Sequence, residues 1–211
     1  MTPRIVRIED AGPGRKARRL VFDDDTPSRI TSAAAVKELC LTAEEPVDAD
    51  ALEEALAEVE PGLAKERALR LLGYRERSEA ELAAKLVDSG YGDAIVASIV
   101  TRFRELGLVD DERFASTLVR SRVAAGFGKR RIQRELADKG VATHIASAAL
   151  EDDCPGEAQV SRARESLRGR TATDRKTRDR LVKWLVSRGY DLSTAIETVA
   201  GTSADDEVPP E

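Results

Sequence analysis

Three stretches, KLVDSGY (85–91), ELADKGV (135–141) and WLVSRGY (184–190), decide how this chain folds. Each has leucine second and glycine sixth, with an apolar residue directly after. Glycines 90, 140 and 189 are 50 and 49 residues apart. Aligned on them, Leu82, Ile132 and Leu181 coincide, as do Leu86, Leu136 and Leu185, and ten residues past each glycine come Val100, Leu150 and Val199. Apolar residues eight and four positions before a glycine form the stripe of a helix that ends there. Glycine beyond the last turn permits the left-handed closure that a Cβ resists. One such match is a common helix ending; three at a constant period mark a repeat.

A helix precedes and another follows each glycine-ended segment. The first unit contains LAKERALRLLGYRE (63–76), SEAELAAKLVDSG (78–90) and GDAIVASIVTRFRELG (92–107), with Ser78 and Glu81 spaced as a capping box. The second contains 110–126, 128–140 and 142–152; the third, 156–169, 173–189 and 191–200. The expected fold is mainly α: three tandem three-helix modules, residues 61–107, 108–153 and 154–200, stacked as an elongated curved array. A module of this size buries little surface alone.

Residues 1–60 differ in kind. IVRI (5–8) and RRLVFD (18–23) flank the turn signal Ala11-Gly12-Pro13-Gly14, which predicts a small β-hairpin. A helix is expected to start near Thr31 or Ser32 and run through AAAVKELCL, and another after the N-cap Asp48. Pro61-Gly62 predicts a break or a new start. Residues 201–211 are expected to be a disordered acidic tail.

Composition narrows the function. The chain has 211 residues, 35% of them charged and 4% aromatic, and a net charge of −5. Residues 1–60 carry net −6, residues 61–200 net +5 and the tail net −4, so the middle is mildly basic between acidic ends. One histidine, His144, and two distant cysteines, Cys40 and Cys154, match neither a disulfide framework nor a zinc pattern. The N-terminus lacks an apolar signal region, and no apolar run approaches the ~18 residues of a membrane span. A cytoplasmic protein without metal or cofactor is expected. There is no phosphate loop, and GFGK (126–129) is too short for one. Ser78 and Ser116 have no histidine partner in a nucleophile pattern. Asp110, Asp111 and Glu112 suit the first turn of a helix better than a metal site.

RERSEAEL (75–82), ELGLVDDERFA (105–115) and GFGKRRIQRELADKGV (126–141) resemble signature segments of the RecX family, regulators of the bacterial RecA recombinase. The resemblance covers about residues 61–200 and is similar in its order of helices. It implies a non-enzymatic protein that lies in the groove of the RecA–DNA filament and limits its activity. A long track of weak contacts acts multivalently and selects the assembled filament over free protomers. Nothing in the sequence suggests an obligate dimer, so a monomer is expected.

Candidate contacts are the basic side chains. Lys129, Arg130 and Arg134 surround the start of the second module's middle helix, with Arg130 and Arg134 on one face. The third module adds Arg164, Arg168, Arg178 and Lys183 within a segment of ten basic and six acidic groups. One alternative is a solvated helix face with Arg131 paired to Glu135. Another is a helical DNA-binding module whose second and third units contact phosphates directly. Trp184, the only tryptophan, is expected to pack between helices rather than stack on a base.

Overall fold

The computed structural model describes residues 3–12, 14 and 16–202. It divides into two compact units, Met1–Asp110 and Asp111–Glu211. In the first, strands β1 (Ile5–Asp10), β2 (Ala17–Phe22) and β3 (Arg29–Ser32) form an antiparallel sheet in that order. The expected hairpin is present, with Ile8 opposite Leu20. Of its turn, Pro13 lies outside the described residues.

The third strand adds to the sequence reading, while the helix does begin beside Ser32 as expected. Thr31 and Ser32 do not lie in a helix; they pair with Arg18 and Ala17 of β2. Helix α1 is short, Ala33–Glu38, and starts where the Ser32 hydroxyl accepts a hydrogen bond from the Ala35 amide at 3.0 Å. That hydroxyl satisfies one of the amides a helix start leaves orphaned.

Helix α2 runs unbroken from Ala49 to Tyr74, behind the expected cap Asp48, whose carboxylate accepts from the amides of Asp50 and Ala51. The break expected at Pro61-Gly62 does not occur. The boundary drawn between residues 60 and 61 falls inside this helix. Proline in a helix interior costs ~3 kcal/mol, but each fully buried leucine returns ~1.5–3 kcal/mol. Leu52 and Leu56 pack with Ile5, Leu20 and Phe22 under the sheet, while Ala64, Ala68 and Leu71 join the core of the first module. Burial on both sides of Pro61 outweighs its missing hydrogen bond.

The modules follow as expected. Helices α3 (Glu79–Val87) and α4 (Asp93–Glu105) complete the first. Ser78 caps α3, accepting from the Glu81 amide at 3.1 Å. The second unit holds α5 (Asp111–Ala124), α6 (Lys129–Asp138) and α7 (Thr143–Asp153), then α8 (Gln159–Leu167), α9 (Arg175–Ser187) and α10 (Leu192–Gly201). Gly201 thus ends a helix, and residues 203–211 of the expected tail lie outside the described residues.

Each module has its own core, and the repeat columns build it. Leu86, Leu136 and Leu185 are fully buried; so are Leu82 and Ile132, with Leu181 nearly so. Gly90, Gly140 and Gly189 have φ of 93°, 72° and 95°. The amides of Tyr91, Val141 and Tyr190 reach back to the carbonyls of Leu86, Leu136 and Leu185 at 3.3, 3.1 and 3.2 Å. Each glycine amide also bonds the carbonyl three residues earlier, which completes the same double closure three times.

Candidate functional site

The second and third modules share one unit, and eight arginines line two cavities where they meet. The junction is built on two glycines. Gly128, the N-cap of α6, lies against the turn at Gly189 so closely that a Cβ on Gly189 would sit 2.5 Å from the Arg131 amide and 2.9 Å from the Gly128 carbonyl. The Gly128 amide donates to the Arg188 carbonyl at 2.9 Å, and the Arg130 amide to that of Gly189 at 3.1 Å. The start of one helix thereby satisfies the end of another, and the opposed helix dipoles favour the contact.

This approach brings both Arg131 and Arg188 over the ring of Phe127. The two guanidinium carbons lie 4.5 and 4.6 Å from the ring centroid. Arg188 also lies 4.8 Å from Trp184, which Arg170 approaches to 4.9 Å. The result is an alternating series: Arg131, Phe127, Arg188, Trp184, Arg170. Arg188 is fixed further by donating from Nε to the Gly126 carbonyl at 3.0 Å and from Nη2 to that of Ala125 at 2.5 Å. The Gly126 carbonyl also accepts from Ser166, whose hydroxyl is 3.1 Å from that of Tyr190.

Two cavities flank the series. One, of about 650 Å³, has Arg122, Arg130, Arg131 and Arg134 around Phe127 and Val186. The other, of about 580 Å³, has Arg162, Arg168, Arg170 and Arg188 around Trp184. In the first, Arg122 grips Glu135 in a two-bond fork at 2.7 and 2.5 Å. Hydrogen bonding from Arg122 holds the Glu135 carboxyl below its ordinary range, and the same bond raises Arg122. The anticipated pairing of Arg131 with Glu135 is therefore replaced: Glu135 serves Arg122, and Arg131 faces Phe127.

The candidate residues separate. Arg130 and Arg134 are exposed and line the first cavity, with Arg130 also bonded to Asp191. Lys129 stands half-buried at the start of α6. Arg168 lines the second cavity. Lys183 lines a shallow third one on α9 with Arg175, Lys176 and Arg180. Arg164 lies instead against Gly201 at the end of α10, and Arg178 is exposed on α9, lining neither of the two junction cavities. Arg122 is an addition that the sequence did not point to; Arg131, Arg162, Arg170 and Arg188 belong to the basic stretches read from the sequence but were not among its candidate contacts. Phe127 was missed too; its signal was a lone aromatic between two glycines. Trp184 does pack on the third module's core, and it also takes two guanidinium groups.

His144 is exposed in the first turn of α7. Asp111 and Glu112 occupy the first turn of α5. Among the described residues no group of three His, Cys, Asp or Glu side chains is placed to hold a metal ion, and no helix is long and apolar enough to cross a membrane.

Comparison with known proteins gives this geometry a family. Residues 64–103 match the model of the RecX first three-helix domain, and 110–150 that of the second. The regulatory protein RecX of Mycobacterium sp. (strain KMS) is 43% identical over 141 residues, 62% of this chain and 76% of the relative. That of Mycolicibacterium smegmatis is 43% identical over 147 residues, 65% and 78% of the two chains. A crystal structure of regulatory protein RecX superposes with a TM-score of 0.60 at 21% identity, covering 94% of this chain and 99% of that one, which speaks for the fold. Two successive domain matches and relatives of this identity, spanned over three quarters of their length, place the chain in the RecX family of regulatory proteins.

Proposed function

We propose that this chain binds the RecA–DNA filament and restrains the recombinase without catalysis of its own, as a monomer, using the arginine and aromatic series between the second and third modules as its main contact. The observation that carries the reading is the fixed alternation of Arg131, Phe127, Arg188, Trp184 and Arg170 between two basic cavities. Each such contact is worth ~0.5–1 kcal/mol at an exposed site. Their larger effect is on a partner: guanidinium groups already held in place lose little freedom when an anionic surface arrives. Arginine forks also suit carboxylate and phosphate better than lysine does. Contacts from Lys129, Arg130, Arg134 and Arg168 extend the surface, and Arg164, Arg178 and Lys183 supply outlying charge.

A second reading is favoured by the same observation. Guanidinium groups interleaved with rings also suit a phosphodiester strand, so the chain could act on DNA itself. Co-sedimentation separates the two. The filament reading predicts that the chain pellets with RecA assembled on single-stranded DNA but remains in the supernatant with free RecA. It predicts only weak retention on naked DNA at physiological salt. Equal retention on naked DNA, falling steeply as salt rises, supports the second reading.

A further inference from the structure

Three aspartates hold N-cap positions, and one of them does not cap its helix. Asp48 and Asp174 stand before α2 and α9, and each carboxylate accepts from amides of its own first turn, Asp174 from that of Thr177 at 2.7 Å. Asp191 stands before α10 with the same extended backbone, φ −67° and ψ 151°, yet its carboxylate bonds no amide of α10. It pairs instead with Arg130 of α6. An N-cap carboxylate ordinarily satisfies an amide that the helix start leaves orphaned. Asp191 forgoes that role for an ion pair at the edge of the first cavity.

The pair is placed by the backbone and held loosely. The Arg130 amide donates to the Gly189 carbonyl at 3.1 Å, which sets Arg130 beside the residue two positions on. The Arg130 and Asp191 side chains are 70% and 50% exposed. An ion pair so exposed contributes little to stability and exchanges readily. Arg122, the other acid-paired arginine of this cavity, differs: it grips Glu135 through two bonds, and both are half-buried. Arg131 is engaged with the Phe127 ring. Arg134 lies one turn beyond Arg130, exposed, with no ion-pair or hydrogen-bond partner among the described residues. Of the four arginines, then, two are fixed, one is open and one is held by an exchangeable carboxylate.

We infer that Arg130 and Arg134 form a carboxylate-binding site, and that Asp191 occupies half of it in the free chain as a stand-in for an acidic side chain of the partner. This rests on the filament reading above and names the chemistry of the group the filament supplies. Guanidinium groups at i and i+4 share a helix face and can hold one carboxylate between them by charge-assisted bonds. When that group arrives, Asp191 is released and turns back to cap α10. The free chain prefers the pair to the cap, so release has a cost, bounded by the small worth of an exposed pair. Asp191 thereby selects for a group that reaches Arg134 as well, since only such a group gains more than it displaces.

The test is co-sedimentation of the full chain with RecA assembled on single-stranded DNA at physiological salt. Asp191→Asn removes the charge and keeps a capping side chain. It should bind about two- to fivefold more tightly than wild type, the range an exposed pair spans, with a melting temperature within ~2 °C. Asp191→Ser should repeat the gain. Arg130→Ala should weaken binding, and adding Asp191→Asn to it should recover nothing. In wild type, amide exchange at Ser193 and Thr194, the second and third residues of α10, should slow on binding. A pair that merely bridges the modules predicts the reverse: Asp191→Asn lowers the melting temperature and loosens binding, and that result overturns the inference. Unchanged affinity of Asp191→Asn beside a weakened Arg130→Ala overturns it too and leaves the filament reading standing, as does unchanged exchange at Ser193 and Thr194. An equal gain on naked DNA overturns the carboxylate assignment, because phosphate is then the group received. A wild-type chain that does not pellet with filaments refutes the filament reading, and this inference with it.

Discussion

Gly189→Ala, compared with Gly169→Ala, measures how strongly the second and third modules hold each other. Both glycines belong to the same compact unit and both have positive φ, 95° and 76°. Alanine in the left-handed region costs ~1–2 kcal/mol at either position. Their surroundings differ. A Cβ at Gly169 meets nothing within 4 Å, whereas one at Gly189 meets the Arg131 amide at 2.5 Å and the Gly128 carbonyl at 2.9 Å. Those are backbone atoms at a helix start, so the strain cannot be relieved by a side chain swinging away. Overpacking of this kind adds ~1–3 kcal/mol. Gly169→Ala should therefore cost ~1–2 kcal/mol and Gly189→Ala ~2–5 kcal/mol. In a chain of this size each kcal/mol lowers the melting temperature by roughly 2–4 °C. Calorimetry or thermal circular dichroism of the two variants beside wild type reads the difference. Equal losses would refute the reasoning, because the contact between α6 and the Gly189 turn would then contribute nothing beyond local backbone strain.

Arg130→Glu with Arg134→Glu should leave the melting temperature within ~2 °C of wild type, since exposed charges contribute little to stability, and should weaken restraint of RecA, read as the inhibitor concentration needed for half effect. Pro61→Ala should stabilise the first unit by ~1–3 kcal/mol, because α2 regains a backbone donor in its interior; thermal melting checks this. Glu135 has its folded pKa lowered from the ordinary 4.5 by the hydrogen bond from Arg122. Its contribution is then complete above that value and disappears as pH falls through the lower folded value. Urea midpoints should therefore favour wild type over Glu135→Gln near neutrality and converge in acid; a gap that is constant with pH would contradict the assignment.

The repeat was legible because every part of it is local. A glycine that needs positive φ, a leucine four residues before it and an apolar residue after it all act within one helix ending, and the three buried leucines confirm the alignment. Ser78 was legible for the same reason. Strand β3 was not. The run from Thr31 into AAAVKE has a helical signature, and what makes RIT a strand is pairing with β2 together with the Glu60 carboxylate, 29 residues from Thr31. Pro61 misled because local propensity says nothing of the two cores that α2 joins. At the site, charge density pointed to α6 and the third module, but not to the arrangement. Arg131 and Arg188 meet on Phe127 only because Gly128 docks on Gly189, and that encounter depends on backbone approach across some 60 residues. Arg164 and Arg178 show the converse: basic by sequence, yet set apart from the junction cavities by the helix faces they occupy.

The central claim is direct action on the filament. It is tested by the single-stranded-DNA-dependent ATPase rate of the cognate RecA at fixed DNA, titrated with this protein, with binding to naked DNA followed alongside. The account predicts that the rate falls at protein concentrations well below those that coat the DNA. A rate that stays constant until the DNA itself is saturated would contradict it, and would make the arginine and aromatic junction a DNA-binding surface first.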